Sequence, residues 1–307
     1  MQLDSTRIAV RERGLLDIFD LALHVTREFA WPWLAGSLLA ILPLAMLNHF
    51  LVGWMASSDY ETDAPGVRYL FAMTMLIFLE APLASLLVIA FLGPAVFLEK
   101  RTLRQVLADV LKLSPQWLLC VVLLRGVLPA WLIYLAADRF AFNQGTEGFL
   151  MAVLVIWAMG LRAFRPFITE IVLLEKNPLR SKNPNVITMG RRSAHLHAPS
   201  SSDLFVRWIG GAMIVLLLVA LALFTAWTMI GVLASQWIFT IDPEEGLIWN
   251  AQWHDLVIVY PACLWLVVAY LSVVHFLSYL DLRIRHEGWE VELLMRAEAL
   301  RLAAKVG

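Results

Sequence analysis

Six long apolar stretches, separated by linkers that alternate between basic and acidic, constrain this chain more than any other feature. A helix needs about 20 apolar residues to cross a bilayer core of roughly 30 Å. Six segments reach that length, at approximately 31–55, 68–98, 116–137, 148–174, 205–234 and 256–280. Of the 307 residues 60% are hydrophobic and only 16% charged, with a mean hydropathy of +0.72. Soluble domains are about 45–50% apolar and about 25% charged. A water-soluble core cannot hide that excess, whereas lipid can serve as its solvent. The expected fold is all-α: a polytopic membrane protein with six transmembrane helices and amphipathic interfacial helices. It forms one integral membrane domain over 1–307, with an interfacial helix in 1–30, the bundle in 31–280 and an amphipathic tail in 281–307. Its first partner is therefore the lipid bilayer.

Lysine and arginine in short loops set orientation. Arg7, Arg11, Arg13 and Arg27 precede the first span, and Lys100, Arg101, Arg104 and Lys112 follow the second. Lys176, Arg180, Lys182, Arg191 and Arg192 follow the fourth, and Arg283, Arg285, Arg296, Arg301 and Lys305 follow the sixth. The opposite loops hold almost none and carry Asp59, Glu61, Asp63, Asp138, Glu147, Asp242, Glu244 and Glu245. Both termini are expected on the cytoplasmic side. Met1–Arg13 is too polar for a secretory signal peptide. Cys120 and Cys263 sit inside apolar spans and read as buried thiols. A net charge of −1 gives no reason to expect a nucleic-acid partner.

Residues 13–29 place Leu15, Ile18, Phe19, Ala22, Val25 and Phe29 on one helical stripe, with Asp17, Asp20, His24 and Arg27 elsewhere. The stretch is too charged to span, so an in-plane helix is expected. Residues 102–113 repeat the pattern with Leu103, Val106, Leu107 and Val110, and the tail 286–305 is a third amphipathic segment. The second span ends AVFLEK (95–100) and the fourth IVLLEK (171–176). Each runs into a basic stretch and a Trp-bearing span start. Three units, each an in-plane segment followed by an outward and an inward span, would make a threefold parallel repeat.

The last span ends SYLDLRIRHEG (278–288), and MGRRSAHL (189–196) lies upstream. These runs resemble a large family of bacterial and archaeal membrane proteins related to the membrane domain fused to some glycerophosphodiester phosphodiesterases. Its members commonly end their last span in a Tyr-Asp-Leu-Arg-x-Arg-x-Glu-Gly run. The resemblance covers roughly residues 90–300 and is most specific at 279–288. It implies six helices in a bacterial cytoplasmic membrane and no activity, because the phosphodiesterase chemistry belongs to a soluble domain that this sequence does not contain. The longer 177–203 linker departs from the family pattern.

Two groups of charges are candidate sites. Asp281, Arg283, Arg285 and Glu287 gather where the last helix leaves the membrane, and an ion-pair network with Arg191 or Arg192 would offset the cost of Asp281 at that depth. Glu80, Arg125 and Arg162 lie inside spans, where an ionisable group costs about 2.5–3.5 kcal/mol and usually pairs or marks a pathway. A Glu80–Arg125 pair is expected, with Arg162 as the competing partner. Pro82, and Gly93-Pro94, remove backbone donors and predict a kink in the second span.

No P-loop and no HExxH are present, and His195 with His197 in a loop is a weak metal motif. The reading is therefore non-enzymatic, without catalytic residues, metal or cofactor. Two functional classes remain: a scaffold or assembly subunit working through cytoplasmic-face partners, and a small-molecule or lipid transporter using the buried charges.

Overall fold

The computed structural model describes residues 12–58, 66–96, 101–140, 144–181, 183, 186–234, 239–242, 246–249 and 255–287. Helix α1 (Leu15–Glu28) leads into α2 (Ala30–Val52), a short α3 (Met55–Ser58), then α4 (Val67–Ala84) and α5 (Leu86–Val96). Helix α6 (Leu103–Lys112) precedes α7 (Ser114–Trp117), which continues as a π-helical stretch Leu118–Leu123, and then α8 (Val127–Phe140). Helix α9 (Gln144–Phe164) is followed by α10 (Ile168–Glu170) and the π-helical turn Ile171–Glu175. Helix α11 (Met189–His197), α12 (Ser201–Ala234) and α13 (Tyr260–Glu287) complete the bundle. The one pair of strands among the described residues is an antiparallel ribbon, Phe239–Asp242 paired with Gly246–Trp249.

Among the described residues, five helical stretches are long and apolar enough to cross a membrane, and six if the bent pair Leu103–Lys112 and Ser114–Leu123 is one span. Burial makes the same point physically. Helix α12 leaves Phe205, Met213, Leu216, Leu217, Leu221 and Phe224 each half exposed or more, a surface that water would not tolerate and hydrocarbon would. Helix α13 lies at the centre, packed against α1, α2, α4, α5, α11 and α12. Two large apolar cores line the bundle, beside a small one of Cys120, Ile168 and Val172. One joins Phe19, Val88, Leu92, Ile171, Phe276 and Tyr279, and the other joins Val52, Tyr69, Leu76, Tyr134, Met151 and Trp265.

The spans are more broken than their hydropathy predicts. The stretch expected over 116–137 divides at Leu124–Gly126, where Gly126 takes φ +84°, a left-handed conformation that only glycine adopts without strain. The stretch expected over 148–174 divides at Arg165–Phe167, where Pro166 cannot continue the helix. In the second span the prolines stay inside α4 and α5, and the interruption falls at Ser85 between them. Hydropathy averages over such breaks because the residues on either side of them are apolar.

Helix α1 forms as its periodicity predicts, and Asp17 accepts from the Gly14 amide at 3.2 Å to close its first turn. The predicted stripe of Ile18, Phe19, Ala22 and Val25 is buried. Phe19 packs on the Tyr270 ring at 6.2 Å, and the Tyr270 hydroxyl donates to the Phe19 carbonyl at 2.7 Å. Helix α6 has a full capping box, in which Thr102 and Gln105 satisfy each other's amides. The basic 177–203 stretch was expected to be a linker, but Met189–His197 is helical, with Ser193, Leu196 and His197 buried. Apolar contact with the bundle overrides the linker-like composition. The tail 288–307 lies outside the described residues, as do residues 97–100 of the first repeat motif.

Val25→Asp should undock α1, because an unpaired buried carboxylate costs several kcal/mol. Limited proteolysis within residues 15–28 should accelerate while the rest of the bundle stays resistant. Unchanged cleavage would show that the stripe contributes nothing to docking.

Candidate functional site

The buried charges do not pair with one another. Glu80 is fully buried and accepts from Asn48 Nδ2 at 2.7 Å and Trp131 Nε1 at 2.6 Å, one donor on each oxygen. This corrects the expected Glu80–Arg125 or Glu80–Arg162 ion pair. Two neutral donors, one on α2 and one on α8, meet this carboxyl. The sequence offered a signal for Asn48, a polar residue inside an apolar span, and none for Trp131, which reads as an interfacial aromatic.

Both arginines serve the backbone. Pro82 has no amide to give the carbonyl of Phe78, four residues earlier, and Arg162 donates to that carbonyl. Its guanidinium also lies 3.9 Å from the centre of the Phe78 ring. Arg125 donates to the carbonyls of Arg165 and Pro166 at 3.3 and 3.0 Å, where the fourth span breaks. Trp157 Nε1 meets the Leu124 carbonyl at 3.0 Å, where the third span breaks. Inside hydrocarbon a free carbonyl has no water to turn to, so each break needs such a donor. Two further charges escaped the sequence reading. Glu170 is fully buried and shares a 2.8 Å contact with His275 Nδ1, and Asp255 is buried near the start of α13.

The second group of predicted residues forms two hubs. Glu175 accepts from Arg192 Nε at 2.6 Å, Arg192 Nη2 at 2.8 Å, the Tyr279 hydroxyl at 2.6 Å and Asn177 Nδ2 at 2.9 Å. Arg283 stands 3.7 Å away. Burial pushes the Glu175 carboxyl up, but the hydrogen bonds from Arg192 and Tyr279 and the charges of Arg192 and Arg283 outweigh it, holding the group below the usual range. Asp281, 1% exposed, accepts from the Arg13 amide at 2.8 Å, Arg207 Nη1 at 2.9 Å and Arg285 Nε at 3.0 Å. Arg207 and Arg285 both also donate to the Arg13 carbonyl, at 3.3 and 2.7 Å.

The expected single network is thus divided. Arg192 and Arg283 meet at Glu175, and Arg285 meets Asp281. The arginine that reaches Asp281 from upstream is Arg207, in place of the expected Arg191 or Arg192. Arg191 is exposed on α11, and the Glu287 side chain lies outside the description. A third cluster stands alongside: Asp109 accepts from Arg101 at 2.8 Å and from Lys176 at 3.2 Å. Lys176, then Arg101 and Lys112, hold the Asp109 carboxyl below its ordinary value.

These hubs collect the start of α1, the turn after α10, α11, the start of α12 and the end of α13 into one polar end of the bundle. The opposite end has its own pair, Arg68 to Glu147 at 2.5 Å, with Arg68 stacked 4.9 Å from Trp54. His195 and His197 lie on α11, not in a loop, and His197 Nδ1 is 3.2 Å from Ser193 Oγ. Among the described residues no group of three or more His, Cys, Asp or Glu could hold a metal ion. Comparisons with protein-family models, curated proteins and solved structures return no match for this chain, so the residues themselves carry the functional reading.

Arg162→Leu should destabilise the protein by roughly 1–3 kcal/mol, the cost of orphaning a buried acceptor. In a Pro82→Ala background the restored amide can reach Phe78, so the same change should cost clearly less. Detergent thermal melts of the four proteins test this; identical losses in both backgrounds would refute the capping role.

The Glu175 contact should also be acid-sensitive. Its folded-state pKa is depressed, so its stabilisation is complete above the ordinary carboxylate range and is lost as pH falls through the lower folded value. Amide exchange in 189–197 should rise over that window in the wild type. In Glu175→Gln it should be raised already at neutral pH and lack that step.

Proposed function

We propose that this chain is a non-enzymatic, multi-pass membrane protein that acts as a scaffold or assembly subunit, through partners bound at its charged end. The observation that carries this is the double hub of Glu175 and Asp281. Together they pin five separate parts of the chain into one fixed polar face. The intramembrane charges support the same reading, because Arg125 and Arg162 cap carbonyls and Glu80 is held by neutral donors. Groups committed to the backbone are poorly placed to bind and release a cargo.

The charged end is read as cytoplasmic, in a bacterial inner membrane, by the excess of lysine and arginine there. The amphipathic helices α1 and α6 are read as lying along that surface, in three units of a short helix followed by two spans. The element order supports this repeat: α1 before α2 and α4–α5, α6 before α7–α8 and α9–α10, α11 before α12 and α13. The family resemblance at 279–288 is kept on similar grounds, since Tyr279, Asp281, Arg283 and Arg285 all engage the two hubs.

A transporter is the second reading, favoured by one observation. Glu170 is fully buried beside the break at Arg165–Phe167, and its second carboxyl oxygen has no partner. Buried acidic groups at helix breaks often belong to ion or proton paths.

Removal of residues 290–307 separates the readings. A scaffold should lose a specific co-purifying partner in mild detergent while the bundle still melts cooperatively. Retained partner together with lost uptake or export of a defined solute would favour transport. In a cysteine-free background, cysteines at Ser58, Gly145 and Gly246 should label from outside intact cells and one at Ser181 should not; the reverse pattern would invert the orientation.

A further inference from the structure

Glu80, Glu175 and Asp281 each accept hydrogen bonds on both carboxyl oxygens. Glu170 is buried like Glu80 and Asp281, yet only its Oε1 is met, by His275 Nδ1 at 2.8 Å. His275 lies on α13 among the buried residues Val273, Val274, Phe276 and Leu277, but its own side chain is 47% exposed. Its imidazole therefore reaches from the surface of the bundle to a carboxyl that is 1% exposed. His275 stands six residues before Asp281, about 9 Å along the helix from the charged end.

The elements packed around this carboxyl bring few charges to it. Arg125, from the third span, acts on Glu170 by charge, while its Nη2 is given to the carbonyls of Arg165 and Pro166. His197 on α11 is influenced by Glu170, Arg165 and His286, and its Nδ1 lies at Ser193 Oγ. Helix α5, packed on the turn Ile171–Glu175, has no titratable side chain. The Phe167 ring fixes both imidazoles, 5.2 Å from that of His275 and 5.8 Å from that of His197. Glu170 Oε2, Thr169 Oγ1, Arg125 Nε and His197 Nε2 are all buried here without a hydrogen bond. Buried polar groups are normally paired, and an ionised oxygen left unmet is costlier than a neutral one.

We propose that Glu170 and His275 form a proton-binding site, filled from the surface of the bundle through the imidazole. In the unloaded pair Nδ1–H donates to the carboxylate and Nε2 holds a lone pair. A proton taken up at Nε2 makes an imidazolium held by the carboxylate. Transfer of the Nδ1 proton across the 2.8 Å contact then leaves a neutral imidazole and a neutral carboxyl. Either way the pair gains one proton and loses its net charge, and the proton belongs to the pair as a unit. Sodium is the competing ligand, since helix breaks also hold cations. The guanidinium of Arg125, acting on the same carboxyl, disfavours it. The proposal rests on the site of the transporter reading and deepens it by naming the species bound. Proton binding itself requires no movement of cargo.

The test titrates the full chain with protons in lipid nanodiscs. Histidine nitrogen-15 signals are followed by NMR and carboxyl bands by infrared difference spectroscopy. In the wild type one of the seven histidines and one carboxyl band should change together, with a single midpoint. His275→Asn, which cannot carry the proton, should abolish that joint transition. In Glu170→Gln the carboxyl change should vanish, and the His275 signal should persist with its proton affinity lowered on the order of tenfold, the effect of removing one carboxylate in contact. An unchanged His275 affinity in that variant would overturn the pairing. The wild-type spectra stand even if a variant fails to fold: without a histidine and a carboxyl that change together, the proposal fails. Exchange of potassium for sodium at constant ionic strength should leave the midpoint in place. A sodium-dependent midpoint would make this a cation site and overturn the proton assignment. Transport in reconstituted vesicles bears on the other reading alone. A joint transition without solute movement would remove the transporter and leave the site, and absence of the transition would remove the site whether or not a solute moves.

Discussion

The carbonyl of Phe78 is the point on which this bundle turns. Pro82 takes away its helical donor, and the surrounding apolar residues offer no water in its place. Arg162 supplies the missing hydrogen bond from a helix 84 residues away in sequence. The same problem is solved again at Arg165 and Pro166 by Arg125, and at Leu124 by Trp157. Breaks in α-helices are costly in hydrocarbon because each exposes polar backbone. Here each costs less because a neighbouring helix carries a long donor to it. The donors tie α4 to α9 and the third span to the fourth, so the breaks become joints between helices.

That use of charge separates the two regions of the molecule. Within the spans, Arg125 and Arg162 act as hydrogen-bond donors to backbone, and Glu80 as an acceptor of two neutral side chains. At the charged end, carboxylates and arginines meet in hydrogen-bonded clusters around Glu175 and Asp281. The first kind of site joins one helix of the bundle to another. The second fixes a face and leaves Arg191, Arg101 and Lys176 at least partly exposed around it. A protein that works through contacts at one surface needs the second kind. The buried Glu170, next to His275, is an acidic group in the spans with one carboxyl oxygen that accepts no hydrogen bond.

Much of this was legible in the residues. Apolar runs of the required length show up in local sequence because a bilayer demands about 20 consecutive residues from any helix that crosses it. The stripes of α1 and α6 and the gathering of charge at 279–285 are likewise local patterns. Other features left no local trace. Trp131 looks like an ordinary interfacial aromatic and Trp157 like one more apolar residue of a span, yet one holds Glu80 and the other closes a helix break. Arg207 sits at the start of a hydrophobic helix and carries no sign of Asp281, 74 residues later. Glu170 was hidden inside an apolar average.

The sequence by itself determined the class of molecule, the number of apolar segments, which ends are basic and which residues are too polar to sit unpartnered in lipid. Those follow from solvation, which acts residue by residue. Partners were decided only by the tertiary structure. Arg125 and Arg162 each had an acidic candidate, Glu80, and the fold turned both toward backbone carbonyls that no charge count would register. A broken helix presents an unmet carbonyl only once its neighbours are in place, and the choice between a carboxylate and a carbonyl depends on which of them packing brings within hydrogen-bond reach.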